Sequence, residues 1–136
     1  MTQISESSGV QRGFSPPHLT FAGMSQSVRC GGLVLVSGQV ALGDDGTVVS
    51  DDPRDQAEQC FANIESALSL AGARVSDVVK LVCYLTDASY FGAYSDARAK
   101  CLGDNSPAGT AVVVASLLDP AMLMEVEAWA VVPQPD

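Results

Sequence analysis

Apolar residues occur along this 136-residue chain in runs and in alternating patterns. Two continuous apolar runs, Leu33–Ser37 and Thr110–Ser116, show no polar alternation. Runs of this kind, rich in β-branched residues, are typical of strands covered on both faces. A third run, Val78–Leu85, predicts another strand.

The segment Met122–Val132 predicts a last strand whose two faces differ. One face carries Met122, Met124, Val126, Ala128 and Ala130, and the other carries Leu123, Glu125, Glu127, Trp129 and Val131. Two carboxylates therefore lie about 7 Å apart on an otherwise apolar face. A cleft that desolvated one of them would raise its pKa and suit it to acid–base catalysis. The alternative is that both are solvated at an edge or hydrogen-bonded across a subunit interface.

Two amphipathic helices are predicted between these strands. Asp52 can cap the first helix, Pro53 suits its first turn, and apolar residues recur at three- and four-residue steps until Gly72. The second helix is expected over Tyr90–Leu102 and ends at Gly103.

The turn signal Asp44-Asp45-Gly46 predicts a hairpin between residues 40–42 and 47–49. The order hairpin, α, β, α, β, β (ββαβαββ) predicts an α+β fold with two helices on one face of a single mixed sheet. We expect a mobile tail over residues 1–17 and one domain over residues 18–133. Because two strands are apolar on both faces, partner subunits are expected to cover the second sheet face.

Charge and composition exclude several classes of function. The chain has 7 basic and 16 acidic residues, a net charge of −9, which disfavours nucleic acid as a partner. With one histidine, His18, and no CxxC spacing among four cysteines, neither a metal nor another cofactor is expected. The cysteines are expected to fill the core, with Cys101 as the candidate reactive or interface thiol. No apolar run suggests a membrane span or a signal peptide, so a cytoplasmic location is expected.

Four blocks of sequence carry a family resemblance. They are GGLVLVSGQ (Gly31–Gln39), DVVKLVCYLTD (Asp77–Asp87), PAGTAVVVA (Pro107–Ala115) and EVEA (Glu125–Ala128). In this order, over about Met24–Val132, the chain resembles the RidA family, also called YjgF or L-PSP endoribonuclease-like.

The resemblance implies a chorismate-mutase-like fold and a homotrimer with three inter-subunit clefts. In the deaminase branch of the family, these clefts bind small molecules and hydrolyse enamines and imines. A glutamate at the position of Glu125 holds or activates the attacking water. The expected ligand-binding residues are Gly38, Gln39, Tyr84, Gly109, Thr110, Met24 and Ser95. Tyr84 has the alternative of simple packing, and Thr110 that of ordinary strand propensity.

The sequence departs from the family pattern at three positions. Gly109 stands where the family has an arginine that clamps the substrate carboxylate, Met24 stands in place of a tyrosine, and Ser95 in place of an asparagine. Losing a bidentate charged partner costs several kcal/mol in binding, on the order of breaking a buried ion pair. Arg98 and Lys100 are predicted on the polar side of the second helix, where neither replaces the arginine. The chain therefore resembles a divergent branch that lacks this arginine.

Three hypotheses follow. The first is a hydrolase or deaminase for a neutral, bulkier or differently held imine or enamine. The second is a non-catalytic ligand-binding or regulatory trimer of the same fold; Ser37-Gly38-Gln39 and Glu125 fit both. The third is the ribonuclease activity in the family's name, which the negative charge disfavours.

Overall fold

The computed structural model describes residues 3–5 and 9–134, which form a seven-stranded sheet and two long helices. The helices are α1 (Pro53–Leu70) and α2 (Phe91–Leu102). The strands are β1 (Gln3–Ser5), β2 (Val10–Phe14), β3 (Ser27–Cys30), β4 (Leu33–Gln39), β5 (Val78–Leu85), β6 (Ala108–Val113) and β7 (Met124–Val131).

The sheet is mixed, with the strand order β1-β2-β3-β4-β7-β5-β6. β5 and β6 run parallel, and the other neighbouring strands run antiparallel. A parallel pair needs a crossover connection, and α2 supplies it between β5 and β6. The long last strand, β7, lies between β4 and β5 and so occupies the centre of the domain.

Local sequence explains where α1 begins and ends. The Asp52 carboxylate accepts the Arg54 backbone N–H at 2.8 Å, and Pro53 opens the first turn. Gly72 follows the helix with φ +81°, a conformation that glycine adopts without a Cβ clash. Within the described residues, neither helix is long and apolar enough to cross a bilayer.

The core lies between the helices and one sheet face. Residues of β7 on that face are completely buried, as the alternation in the sequence predicted, and they meet the apolar stripe of α1. The main members are Val34, Val36, Cys60, Phe61, Ile64, Leu68, Leu81, Cys83, Met124, Val126, Ala128 and Ala130.

The opposite sheet face is open in a single chain and strongly apolar. Its exposed residues include Leu33, Leu35, Val112, Trp129 and Val131. The expectation that the Thr110–Ser116 strand is buried on both faces is therefore wrong for one protomer. β6 ends at Val113, and because it is an edge strand all six of its residues are exposed.

The hairpin predicted across residues 40–49 is reduced to one bridge, between Leu42 and Val48. The Asn63 side chain of α1 donates to the carbonyls of Val40 and Leu42 at 3.1 and 2.9 Å, so a helix rather than a partner strand satisfies these acceptors. The hairpin that does form joins β3 and β4 through Gly31, which has φ +58°.

The mobile tail predicted over residues 1–17 also needs correction. β2 pairs with β3, and the Gly13 N–H donates to the Ser25 hydroxyl at 2.8 Å. Residues 1–2 and 6–8 lie outside the described part of the chain. The ordered sheet thus extends upstream of the expected domain boundary.

Two leucines near the end of α1 offer a matched test of the core. We expect Leu68→Ala to lower the free energy of unfolding by about 2–5 kcal/mol, because Leu68 is 0% exposed and its removal leaves a cavity. Leu70 is 46% exposed, and Leu70→Ala should cost less than about 1 kcal/mol. Urea unfolding of both variants measures the difference; equal losses would contradict this core assignment.

Candidate functional site

A pocket of about 300 Å³ opens where β7 begins, beside the end of β4. Of its lining residues, Glu125 alone carries a charge, and most of the others are apolar. The lining consists of Leu19, Phe21, Met24, Gln26, Gly38, Gln39, Val40, Leu42, Leu118, Met122 and Glu125. A carboxylate in such surroundings is poorly solvated.

Gly38 gives the carboxylate its place in the pocket. A Cβ atom at this position would overlap the Glu125 Oε2 atom. The register between β4 and β7 shifts between Val36 and Gln39, so the backbone of Gly38 lies in a bulge facing Glu125. Glycine is therefore required here for close approach rather than for a positive φ.

Two buried amides form the wall behind Gly38. Gln39 is 2% exposed, and its Nε2 donates to Gln26 Oε1 at 2.7 Å and to the Ser37 carbonyl at 2.9 Å. Gln26 in turn donates to the Leu19 carbonyl at 2.8 Å. Gln39, predicted as a ligand-binding residue, thus lines the pocket with its donor group already engaged.

Gln56, on α1, is completely buried and supports the loop at the other side of the pocket. Its Nε2 donates to the carbonyls of Ser50 and Ala121, both at 2.8 Å, and its Oε1 accepts the Leu123 N–H at 2.9 Å. These bonds tie α1 to the loop just before Glu125. Sequence reasoning missed Gln56, because a glutamine in a helix gives no signal of a distant backbone partner.

The two glutamates of β7 have different surroundings. Burial, and secondarily the nearby Glu127, raise the pKa of Glu125 above its ordinary value. The Tyr84 hydroxyl donates to Glu127 Oε1 at 2.5 Å, and this bond is the main reason that the pKa of Tyr84 is raised. Glu127 is therefore hydrogen-bonded within its own chain, while Glu125 faces the pocket.

The other predicted site residues lie outside this pocket in one protomer. Thr110 is on the open sheet face, where its hydroxyl accepts a bond from Lys80 Nζ at 2.8 Å. Gly109 pairs with Leu81 and lines a second pocket. The Ser95 hydroxyl accepts a 3.3 Å bond from Arg98 on α2. One chain thus groups Glu125, Gly38, Gln39 and Met24 in the pocket. Tyr84 pairs with Glu125 across β5 and β7 but does not line the pocket, and Thr110, Gly109 and Ser95 do not line it either.

Arg98 is not on a fully solvated face, as the sequence had suggested. It is half-buried, and its guanidinium carbon lies 5.3 Å from the centre of the Tyr94 ring. Burial raises the pKa of the Cys83 thiol to about 12, and the positive charge of Arg98 partly opposes that rise. The guanidinium therefore faces the interior side of α2.

The cysteines fit the core prediction in part. Cys60 and Cys83 are buried, but Cys30 at the end of β3 is exposed. Burial first, and the charge of Glu65 second, raise the pKa of Cys101, which disfavours a reactive thiolate. Among the described residues, no three histidine, cysteine or acidic side chains are grouped as metal ligands would be.

Comparison with known proteins decides the family. The model of the family described as Endoribonuclease L-PSP matches residues 18–132. The chain belongs to this family. A RutC family protein of Pyrococcus horikoshii is 35% identical over 107 residues, covering 78% of this chain and 84% of that protein.

Relatives in the endoribonuclease L-PSP family include imine deaminases. A protein of Dermatophagoides farinae named 2-iminobutanoate/2-iminopropanoate deaminase is 33% identical over 94 residues, 68% of this chain and 73% of its own length. A Mycobacterium tuberculosis structure from the YjgF/YER057c/UK114 family has a TM-score of 0.73 at 36% identity, covering 82% of this chain and 88% of that one. The RidA/YjgF resemblance and the chorismate-mutase-like fold are confirmed.

The close approach of Gly38 to Glu125 yields a test. In Gly38→Ala the new Cβ overlaps the Glu125 carboxylate and must displace it. We expect the carboxylate to move toward solvent, on the side of the pocket where Leu118 is fully exposed. We expect the pKa of Glu125 to fall toward its ordinary value, because burial is the main cause of its rise. Carbon-13 NMR titration of the glutamate carboxyls measures this.

Gly92→Ala is the control for this substitution, since a Cβ at Gly92 meets nothing within 4 Å. The titration of Glu125 should be the same in this variant as in the wild type. An unchanged Glu125 titration in Gly38→Ala would show that the glycine does not position the carboxylate.

Proposed function

We propose that this protein hydrolyses an imine or enamine at Glu125. The observation that carries the proposal is a lone carboxylate of raised pKa in an otherwise uncharged, largely apolar pocket. A base with a pKa nearer the working pH is a better proton acceptor for water than an ordinary solvated carboxylate. The presence of 2-iminobutanoate/2-iminopropanoate deaminases among the relatives supports the same reaction class.

The proposed chemistry needs only water as co-substrate. The Glu125 carboxylate accepts a proton from water as the water oxygen attacks the imine carbon, and the C=N electron pair moves to nitrogen. The protonated carboxyl then returns this proton to nitrogen and gives a carbinolamine. Glu125 next accepts the proton of the carbinolamine hydroxyl and passes it to the amino nitrogen, so the C–N bond breaks, ammonia leaves and the carbonyl forms. For an enamine, the acid form of Glu125 first protonates carbon to give an iminium ion, and the resulting carboxylate then activates water as before.

The pocket lining supports an uncharged or bulkier substrate over a small imino acid held by an arginine. Neither arginine nor lysine is among the described lining residues, and Gly109 supplies no side chain in place of the family arginine. Phe21, Met24 and Leu118 are exposed at the pocket and offer apolar surface to a substrate group. We propose that these residues select an apolar substituent.

The same proposal includes a homotrimer with clefts between subunits. The open sheet face bears apolar side chains that a single chain leaves in water. Tyr84 and Thr110 belong to this face, so a second copy seated there is the proposed way for them to join a cleft.

The alternative is a trimer that binds a ligand without turning it over. The loss of the arginine side chain at position 109 favours this alternative, because catalysis needs the substrate to be held in a defined orientation. Binding of imine analogues at the Glu125 pocket with no release of ammonia would select it. The net charge of −9 continues to disfavour RNA as substrate.

Turnover of an imine panel tests the catalytic proposal. We expect Glu125→Gln to lower kcat at least about 100-fold, since it removes the general base without changing its size. The wild-type rate should fall as pH drops through the raised pKa of Glu125, because only the carboxylate form accepts a proton. Ammonia release from imines formed in situ, with apolar and with carboxylate substituents, gives the rates.

Glu65→Gln, on the exposed face of α1, is the control and should keep the wild-type rate. Equal rates in the wild type and Glu125→Gln, for an imine that the wild type turns over, would remove Glu125 from the mechanism.

Leucine substitutions test the proposed assembly. Wild-type protein should sediment at three times the mass of one chain, and Leu35→Lys should shift it to smaller species by placing a charge on the open face. Leu70→Lys is the control: Leu70 is on α1 and 46% exposed, against 39% for Leu35. A single-chain wild type, or a Leu35→Lys variant that stays trimeric, would contradict assembly through this face.

A further inference from the structure

A second pocket, of about 330 Å³, lies between the end of α2 and the start of β6. It shares no lining residue with the Glu125 pocket, and no acidic residue is among its described lining. Its walls are formed by Leu81, Arg98, Ala99, Gly103, Asn105, Ser106, Pro107, Ala108 and Gly109. Arg98 is the single charged member, so the pocket has a positive interior on an acidic protein.

The charge of Arg98 is not neutralised within the described residues. The ion pairs there join Arg54 to Asp96 and Lys100 to Glu58, and neither includes Arg98. The guanidinium has five N–H donors, and one of them donates a long bond to the Ser95 hydroxyl, at 3.3 Å. Because Arg98 is half-buried and lines the pocket, its other donors can be reached by a ligand there.

The surroundings hold Arg98 in place and leave room beside it. The guanidinium lies over the Tyr94 ring, and that ring is 5.7 Å from the Phe61 ring in the core. The opposite wall has no side chain at Gly109, where an added Cβ would meet nothing within 4 Å. The Asn105 side chain donates to the carbonyls of Val75 and Val78, at 3.0 and 2.9 Å, which fixes the loop at the rim.

We propose that the Arg98 pocket binds a small organic anion through its carboxylate group. The guanidinium fork matches the two oxygens of a carboxylate, and Ser106, which lines the same pocket, offers a hydroxyl donor. The volume accommodates a molecule of a few carbon atoms. The proposal rests on Arg98 and its pocket and is independent of any chemistry at Glu125.

Amide and arginine side-chain NMR of the intact protein tests the site, with sodium propionate as the probe and propionamide as its uncharged counterpart at constant ionic strength. We expect saturable shifts at Arg98 Nε and at the amides of Gly103, Ser106 and Gly109 with propionate, and no such shifts with propionamide. Equal shifts with both probes, or none with propionate, would overturn the proposal.

Arg98→Met keeps an unbranched, largely apolar stem like that of arginine and removes the guanidinium; we expect it to weaken propionate binding at least about tenfold. Lys100→Met is the matched control, since Lys100 is two residues along α2, pairs with Glu58 and does not line this pocket. It should bind propionate as the wild type does. Loss of binding in both variants alike would show a general charge effect and contradict the site.

Substitutions at Gly109 keep the test valid if Arg98→Met loses its fold. Gly109→Glu places a tethered carboxylate beside Arg98 and should abolish propionate binding, whereas Gly109→Ala adds one methyl group in open space and should retain it. Unchanged propionate binding in Gly109→Glu would contradict a binding site at Arg98.

Discussion

The Glu125 carboxylate is held against the backbone of Gly38, and this close approach sets the character of the whole site. It requires a residue without a side chain at the bulge of β4, and it requires β7 to keep its register with β4 on one side and β5 on the other. A change of one residue in that register would turn Glu125 toward the helices and Met124 outward. The buried face of β7, from Met124 to Ala130, therefore fixes the orientation of the acid as well as the core.

Buried glutamine amides support the walls of the Glu125 pocket without burying a further charge. Gln26, Gln39 and Gln56 are almost completely buried, and each engages backbone or amide groups that would otherwise lack partners. Unlike a carboxylate or an ammonium, an amide satisfies such groups without bringing a charge into the interior. The other side chains that line the Glu125 pocket are thereby neutral, so none of them offsets the effect of burial, which is the main cause of the raised pKa of Glu125.

Much of the fold could be predicted from the chain, because its signals are local. The cap at Asp52, the period of α1 and the alternation of β7 each depend on residues close in sequence, and each proved correct. The hairpin predicted across residues 40–49 forms in part, as the Leu42–Val48 bridge. It is not extended, because the Asn63 side chain, more than twenty residues away on α1, donates to the carbonyls of Val40 and Leu42. Likewise, the contact between Gly38 and Glu125 depends on the β4–β7 register, which joins residues far apart in the sequence. The position of Arg98 over the Tyr94 ring depends on how α2 packs in the folded chain.

The separation of Glu125 from Arg98 has a chemical consequence. A guanidinium beside a carboxylate favours its charged form and lowers its pKa, in opposition to burial. An arginine close to a general base can therefore have two opposed effects. It orients a substrate carboxylate, but it also lowers the pKa of the catalytic carboxylate and makes it a weaker base. In this chain the two groups line different pockets, so burial and the charge of Glu127 raise the pKa of Glu125. Under the proposed function, this arrangement makes Glu125 a stronger base and leaves orientation of the substrate to the apolar walls around Phe21, Met24 and Leu118.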